Sequence, residues 1–298
     1  MKFGMMLPTL GALATGSGIA ANQVAVAQKA EELGFDSVWV PDHVVIPTTI
    51  KSRYPYNETG DFPMPADQGF LEPLAAMGFL AGVTKRVRIG TWVLVLPHRN
   101  PIVTAKMLAT LDVLSGGRIM LGAGIGWMEE EITLLGAPFK QRSALSDEYL
   151  RAMRELWTNA NPRFEGKYVQ FSDIKAEPKP LQKPFPVWIG GHSPRAMRRV
   201  AELGDGWVAV PKSFTQFKET YDVLKTAAAK AGRDMKSIQV SIGPAYVNSV
   251  DSYIEEMKKY RALGFENFFA PVAFWSRDLP GVLKTMEEFA RKVGMGAQ

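Results

Sequence analysis

The 298-residue chain contains no cysteine. Disulfides, thiolate zinc centres, iron–sulfur clusters and cysteine nucleophiles are excluded together. A thiol-free chain also fits a reducing cytoplasm, the expected compartment. Histidine is scarce, with three copies at 43, 98 and 192. No pair of them has the helical i,i+4 or strand i,i+2 spacing of a metal site, so no metal is expected. No uninterrupted apolar run approaches the roughly 18 residues of a membrane span. Lys2, Phe3–Leu7 and Ala12–Ala14 outline a leader peptide only loosely, because Pro8 breaks the apolar stretch and cleavage after Ala14 would remove a core strand. Also missing are a Lys/Arg run interleaved with aromatics, a G-x-S-x-G elbow and a P-loop. Nucleic acid and membranes are therefore not expected partners.

What is present is an ordinary globular composition, 46% hydrophobic and 22% charged. The length suits one α/β barrel domain over 1–298, since such barrels reach about 250 residues. Charge is uneven: residues 1–150 carry 12 Lys/Arg against 14 Asp/Glu, and residues 151–298 carry 23 against 16. The basic second half is either a solvated helical surface or the home of a phosphate site.

Four stretches share one form, a helix end, glycine, then a short apolar run: Glu31–Val40, Val113–Leu121, Ala201–Val208 and Arg261–Phe269. Glycine closes a helix by reaching positive φ without a Cβ clash. The apolar runs do not alternate, as expected of strands buried on both faces in a parallel sheet. Reading outward predicts strands at 2–8, 36–42, 87–94, 118–123, 186–190, 206–210, 238–243 and 266–271. The predicted helices are 20–33, 72–83, 101–114, 141–158, 194–203, 214–231, 250–262 and 279–292. Eight β-then-α units point to a closed (β/α)8 TIM barrel, with an open doubly wound sheet as the alternative. Two segments exceed the minimal plan: 44–71 after the second strand, and 159–185, which holds a hairpin pattern at Phe164–Val169 and then a run of prolines.

In a barrel, the loops after the strand C-termini build the site. All three histidines fall there. His43 follows the second strand, and imidazole titrates near neutrality, so it reads as a proton donor or acceptor tuned by Asp42; the alternative is a bond to a loop carbonyl. The glycines at 122, 124 and 126 lie on the fourth strand, the wrong place for a dinucleotide fingerprint, and would let a flat ring approach the backbone. Gly190, Gly191, His192 and Ser193 open onto a helix starting near Pro194. Exposed amides at that helix start suit an anion, with Arg195 and Lys212 adding charge. An ordinary tight turn with a serine cap is the alternative. Trp92 and Trp127 are placed to line a pocket.

Taken in order, Gly34–His43, Arg88–Val93 with Arg99–Pro101, Ser115–Gly124, and Pro186–Gly191 with Gly204–Trp207 resemble the bacterial-luciferase-like enzymes. The branch most resembled uses coenzyme F420. The resemblance covers nearly the whole chain and implies a barrel holding a deazaflavin or flavin ring at its mouth. His43 then matches the rim histidine, a general acid/base or ring contact. The bond Trp92–Val93 matches a non-prolyl cis peptide of relatives, and Gly191–Ser193 match the stretch that cradles the cofactor phosphate. Sugar-phosphate dehydrogenases of the family place a glutamate directly after the strand-4 glycines. Here Trp127 stands there, with Glu129 and Glu130 following, so Trp127 and Glu130 are assigned to the pocket of a more apolar organic substrate. The implied activity is hydride transfer with F420, with His43 handling the proton. The alternatives are an FMN-dependent monooxygenase using O2, a non-catalytic flavin-binding barrel and a metal-dependent hydrolase. Family resemblance favours a homodimer.

Overall fold

Eight strands and eight long helices alternate in the computed structural model, which describes residues 1–244 and 247–295. The strands are β1 (Lys2–Met6), β2 (Ser37–Val40), β3 (Arg88–Thr91), β4 (Ile119–Gly124), β5 (Val187–Gly190), β6 (Gly206–Ala209), β7 (Gln239–Ile242) and β8 (Asn267–Ala270). The helices are α1 (Ile19–Leu33), α2 (Pro73–Val83), α3 (Pro101–Leu114), α4 (Arg142–Thr158), α5 (Pro194–Leu203), α6 (Phe214–Lys230), α7 (Val250–Arg261) and α8 (Leu279–Val293). Each strand pairs in parallel with its sequence neighbours, and β8 pairs with β1 through Lys2–Asn267 and Phe3–Phe268. The ring is closed, which establishes the (β/α)8 barrel and removes the open sheet. Helices lie within a residue of their expected bounds. Most strands are one to three residues shorter, β4 has its expected length shifted by one residue, and β3 stops at Thr91 and resumes after a break as Leu94–Val95 against β4.

Large rings fill the interior because glycines face them. Trp39, Met120, Trp188, Val208 and Phe269 form a cluster inside the ring. A Cβ at Gly4 or Gly90 would stand within 2.7 Å of Trp39, and one at Gly206 within 2.5 Å of Trp188. Alternating large and small residues thus packs the barrel to interior density rather than leaving a pore. Between strands and helices lies a second, larger apolar layer that includes Val38, Leu80, Leu108, Leu150, Val200 and Met286.

Local chemistry sets the helix ends. Glu72, Asn100, Ser193, Ser213 and Asp278 each accept a backbone N–H at a helix start. Gly34, Gly116 and Gly264 take the positive φ expected after a helix. Gly204 does not: its φ is −95°. It is glycine for space, since a Cβ would sit 2.8 Å from Ile189. That helix end is closed instead by Arg233, which donates to the Ala201 and Gly204 carbonyls, and by Arg154 on the Leu203 carbonyl. Part of the basic surplus of the second half therefore serves helix C-termini, where cations oppose the dipole.

Both long segments are ordered. The hairpin pairs Phe164–Glu165 with Gln170–Phe171. Its tip folds back along α4, where the buried Glu148 carboxylate accepts from the amides of Lys167, Tyr168 and Val169. The segment after β2 arches over the barrel mouth and is described with the site. No described helix is long and apolar enough to cross a membrane.

Candidate active site

The floor of the mouth is made where β3 breaks. The Trp92–Val93 peptide bond is cis, as the resemblance implied. The Trp92 ring stacks on Phe269 with centroids 3.5 Å apart. Val93 projects between two glycines: a Cβ at Gly124 would lie 2.3 Å from its Cγ2, and one at Gly190 would lie 3.0 Å from its Cγ1. Gly122 faces the Thr91 carbonyl at 1.9 Å by the same measure. Gly126 has a φ of +77°, and its Cβ would meet Ile132 and Val95. The strand-4 glycines are thus required first by the protein's own β3 backbone and side chains. The expectation that they admit a flat ring is a separate matter, which these contacts leave open.

His43 stands at the rim after β2, and its partner is not Asp42. Its Nδ1 lies 2.7 Å from Oε2 of Glu131, on the short helix Glu129–Leu134. Glu131 Oε1 accepts from the amides of Val44 at 2.7 Å and Val45 at 3.2 Å. The Glu131 side chain has no exposed surface. Burial pulls its carboxyl upward, but the His43 hydrogen bond, the nearby histidines and the Val44 amide outweigh it, and the group lies below the usual carboxylate range. An ionised carboxylate only accepts, so the His43 proton sits on Nδ1 and Nε2 is the nitrogen that Glu131 leaves unengaged.

Asp42 is turned the other way. Its carboxylate has no exposed surface and accepts two bonds from Arg99, at 2.6 and 2.8 Å, and one from the Val95 amide. Arg99 also reaches Glu72 at 2.8 Å. This ion pair ties β2, β3 and the start of α2 together, so Asp42 is a structural anchor. Its carboxylate is taken up by these bonds, and the hydrogen bond to His43 comes from Glu131 instead. His98 lies between the two anionic centres, 3.8 Å from Glu131 and 3.9 Å from Asp42, too far for hydrogen bonds. Burial holds its pKa below the ordinary histidine value despite both carboxylates.

Residues 44–71 form a strap across the mouth. One end is pinned by Glu131 and by Glu130, whose Oε1 accepts from the amides of Lys51 and Ser52. The other end joins the β1–α1 loop, through Leu71 N to the Thr9 carbonyl and a bridge between Leu10 and Phe70. Between these ends the strap carries aromatic rings to His43. Phe62 and Phe70 lie 5.2 Å from the imidazole centroid and Trp127 lies 6.3 Å from it. Tyr54 packs on both Phe62 and Trp127. Trp127 thus lies beside His43 and against Tyr54 and Phe62, whereas Glu130 pins the strap. The sequence reading missed Glu131, Tyr54, Phe62 and Phe70.

Across the mouth, Gly191 turns at a φ of +114°, with space for a Cβ limited to 3.1 Å from Ala196. Ser193 caps α5 through the Ala196 amide. His192 accepts at Nε2 from the Val210 amide at 3.2 Å. Its proton is therefore on Nδ1, a buried donor with no partner among the described residues. Burial, reinforced by the Lys212 charge, lowers its pKa to about 4. An unpaired donor beside a helix N-terminus is what an anionic oxygen would satisfy, so these residues fit a cofactor phosphate. Arg195 adds less than expected, because its guanidinium reaches sideways to Asp147 at 3.4 Å. A depression of about 1020 Å³ lies outside the barrel between α5 and α6, lined by Arg198, Glu202, Asp222 and Lys230, and is not part of this mouth.

Known proteins share this architecture. The chain is 34% identical over 272 residues to an F420-dependent glucose-6-phosphate dehydrogenase of Amycolatopsis mediterranei, covering 90% of this chain and 75% of that one. In fold it is similar to the monooxygenase RslO1 of Streptomyces bottropensis, at a TM-score of 0.79 and 21% identity over 98% of both chains. It is likewise similar to an F420-dependent secondary alcohol dehydrogenase solved with an F420–acetone adduct, at 0.75 and 19% identity over 97% of both chains. Residues 1–283 match the luciferase-like monooxygenase model, and with its barrel closed and its rim assembled in this way the chain belongs to that family of enzymes.

Proposed function

We propose that the protein is a coenzyme F420-dependent oxidoreductase acting between the deazaflavin and the carbinol or carbonyl carbon of a fairly apolar organic substrate. The observation that carries this reading is the 34% identity, along nine-tenths of the chain, to an F420-dependent dehydrogenase. The residues present fit such a cofactor. His192 Nδ1, the Gly191 turn and the start of α5 would hold its phosphate, and Trp92 and Val93 would lie under its ring. When bound, the deazaflavin supplies two-electron hydride chemistry, which no side chain of the protein can supply.

The protein's own residues provide position and proton handling. Neutral His43 accepts an alcohol's hydroxyl proton at Nε2, and as the imidazolium it returns that proton to a ketone oxygen. Glu131 stays ionised beside it and balances the charge. Tyr54, Phe62, Phe70 and Trp127 form an uncharged wall that favours an apolar substrate and excludes water from the reacting centre.

The reading is tested by titrating the purified protein with F420 and, separately, with FMN, following fluorescence quenching, and then assaying anaerobic turnover with secondary alcohols. F420 is expected to bind in the micromolar range and FMN much more weakly. His43→Ala is expected to bind F420 as the parent does while kcat falls about 100-fold or more. Tight binding of FMN alone, with O2 uptake, would overturn the proposal in favour of a monooxygenase.

A further inference from the structure

We infer that Glu131 is the positioning residue of this site, one carboxylate that fixes both the working tautomer of His43 and the root of the substrate strap. The inference rests on the reading of His43 as the proton-handling group. Its two oxygens have separate tasks. Oε2 takes the Nδ1–H of His43 at 2.7 Å, which leaves the Nε2 lone pair for the substrate. Oε1 takes the amides of Val44 and Val45, the first strap residues beyond His43. The ring and the chain that follows it are thus held by one buried group. Among the charged and titratable groups around it, His98 faces Glu131 Oε2 at 3.8 Å. Asp42 and Arg99 lie beyond His98 and are committed to each other. The rings of Phe62, Phe70 and Trp127 around His43 carry no charge.

This division of labour makes Glu131→Gln an informative change. Two backbone N–H groups require an acceptor where Oε1 stands, so the glutamine carbonyl must face Val44 and Val45. Its NH2 must then face His43. Nδ1 can meet a donor only by giving up its proton, which moves the proton to Nε2 and removes the lone pair from the substrate side. The strap stays pinned while the imidazole is reversed. Glu131→Asp keeps the acceptor charge and therefore keeps the proton on Nδ1.

The experiment uses the cofactor-free protein, labelled with 15N at its three histidines, the His43 signals being those lost in His43→Ala. At a pH where His43 is neutral, the parent and Glu131→Asp are expected to show the Nδ1–H form and Glu131→Gln the Nε2–H form. Turnover with F420 is expected to follow the tautomer. In Glu131→Gln, kcat falls at least 100-fold with KM within about threefold, and Glu131→Asp recovers part of the loss. An Nε2–H form in the parent, or an Nδ1–H form retained in Glu131→Gln, overturns the inference. So does a rise in KM with kcat unchanged. A tautomer switch without F420 turnover in the parent supports the role of Glu131 and overturns the proposed function alone.

Discussion

Replacing Gly124 by alanine separates a glycine needed by the protein from one needed by a ligand. Gly124 has no positive φ, so alanine suits its backbone, and the whole effect comes from the added methyl. That methyl would stand 2.3 Å from Val93 Cγ2, well inside van der Waals contact. Val93 cannot simply turn away, because a β-branched side chain is stiff about χ1 and its Cγ1 already abuts Gly190. Overpacking of this kind costs about 1–3 kcal/mol, a fall in melting temperature of roughly 2–5 °C for a chain of this length. Val93→Ala removes the obstructing atoms and leaves Val93 Cβ at 3.4 Å, an ordinary contact. The double variant should therefore be more stable than the two single losses sum to, with a coupling of about 1 kcal/mol or more. Thermal and urea denaturation of the cofactor-free parent, both singles and the double complete the cycle. Were Gly124→Ala to melt within a degree of the parent and lose only cofactor affinity, the glycine would serve the ring and the steric argument would fail.

Two further outcomes test the surroundings of the site. Arg99→Met leaves the unexposed Asp42 carboxylate with only the Val95 amide; a loss of about 3–5 kcal/mol is expected by urea denaturation, most of it restored by adding Asp42→Asn, and a loss below about 1 kcal/mol would contradict the anchor role. His192 should make the protein acid-sensitive: its folded pKa of about 4 lies below the ordinary 6.5, so the unfolded chain takes up the proton first, and stability complete above about pH 6.5 declines as pH falls toward 4. The decline is worth up to roughly 3 kcal/mol, and an equal decline in His192→Gln by the same assay would refute it.

The elements were legible because the signals that set them are local. Glycine after a helix, a serine or asparagine before one, and short apolar runs are all written within a few residues. Position on the barrel was enough to place His43 and His192 at the mouth, and the family resemblance was enough to point to the Trp92–Val93 bond. The site was illegible where partners come from distant segments. Asp42 adjoins His43 in sequence, but successive residues of extended chain point to opposite sides, so the neighbour is the residue least able to reach the imidazole. Glu131 is the last of three glutamates opening a helix, where acidic residues are expected for the dipole alone. Nothing in that run distinguishes the one that turns inward. Phe62 and Phe70 sit in a proline-rich stretch without periodicity, and only the arch across the mouth shows which rings meet.

That arch has its fastenings at its two feet and its aromatic rings mostly in between. Lys51 and Ser52 are tied at one foot and Phe70 and Leu71 at the other, while residues 53–61 close on themselves through Tyr54 N to the Gly60 carbonyl and Asn57 to Gly60 and Asp61. The span can accordingly be recut, with new rings or a different length, while both footings and the imidazole stay where they are. Under the proposed function, tailoring the enzyme to another molecule would then be a matter of rewriting the residues between the two footings, leaving His43 and Glu131 alone.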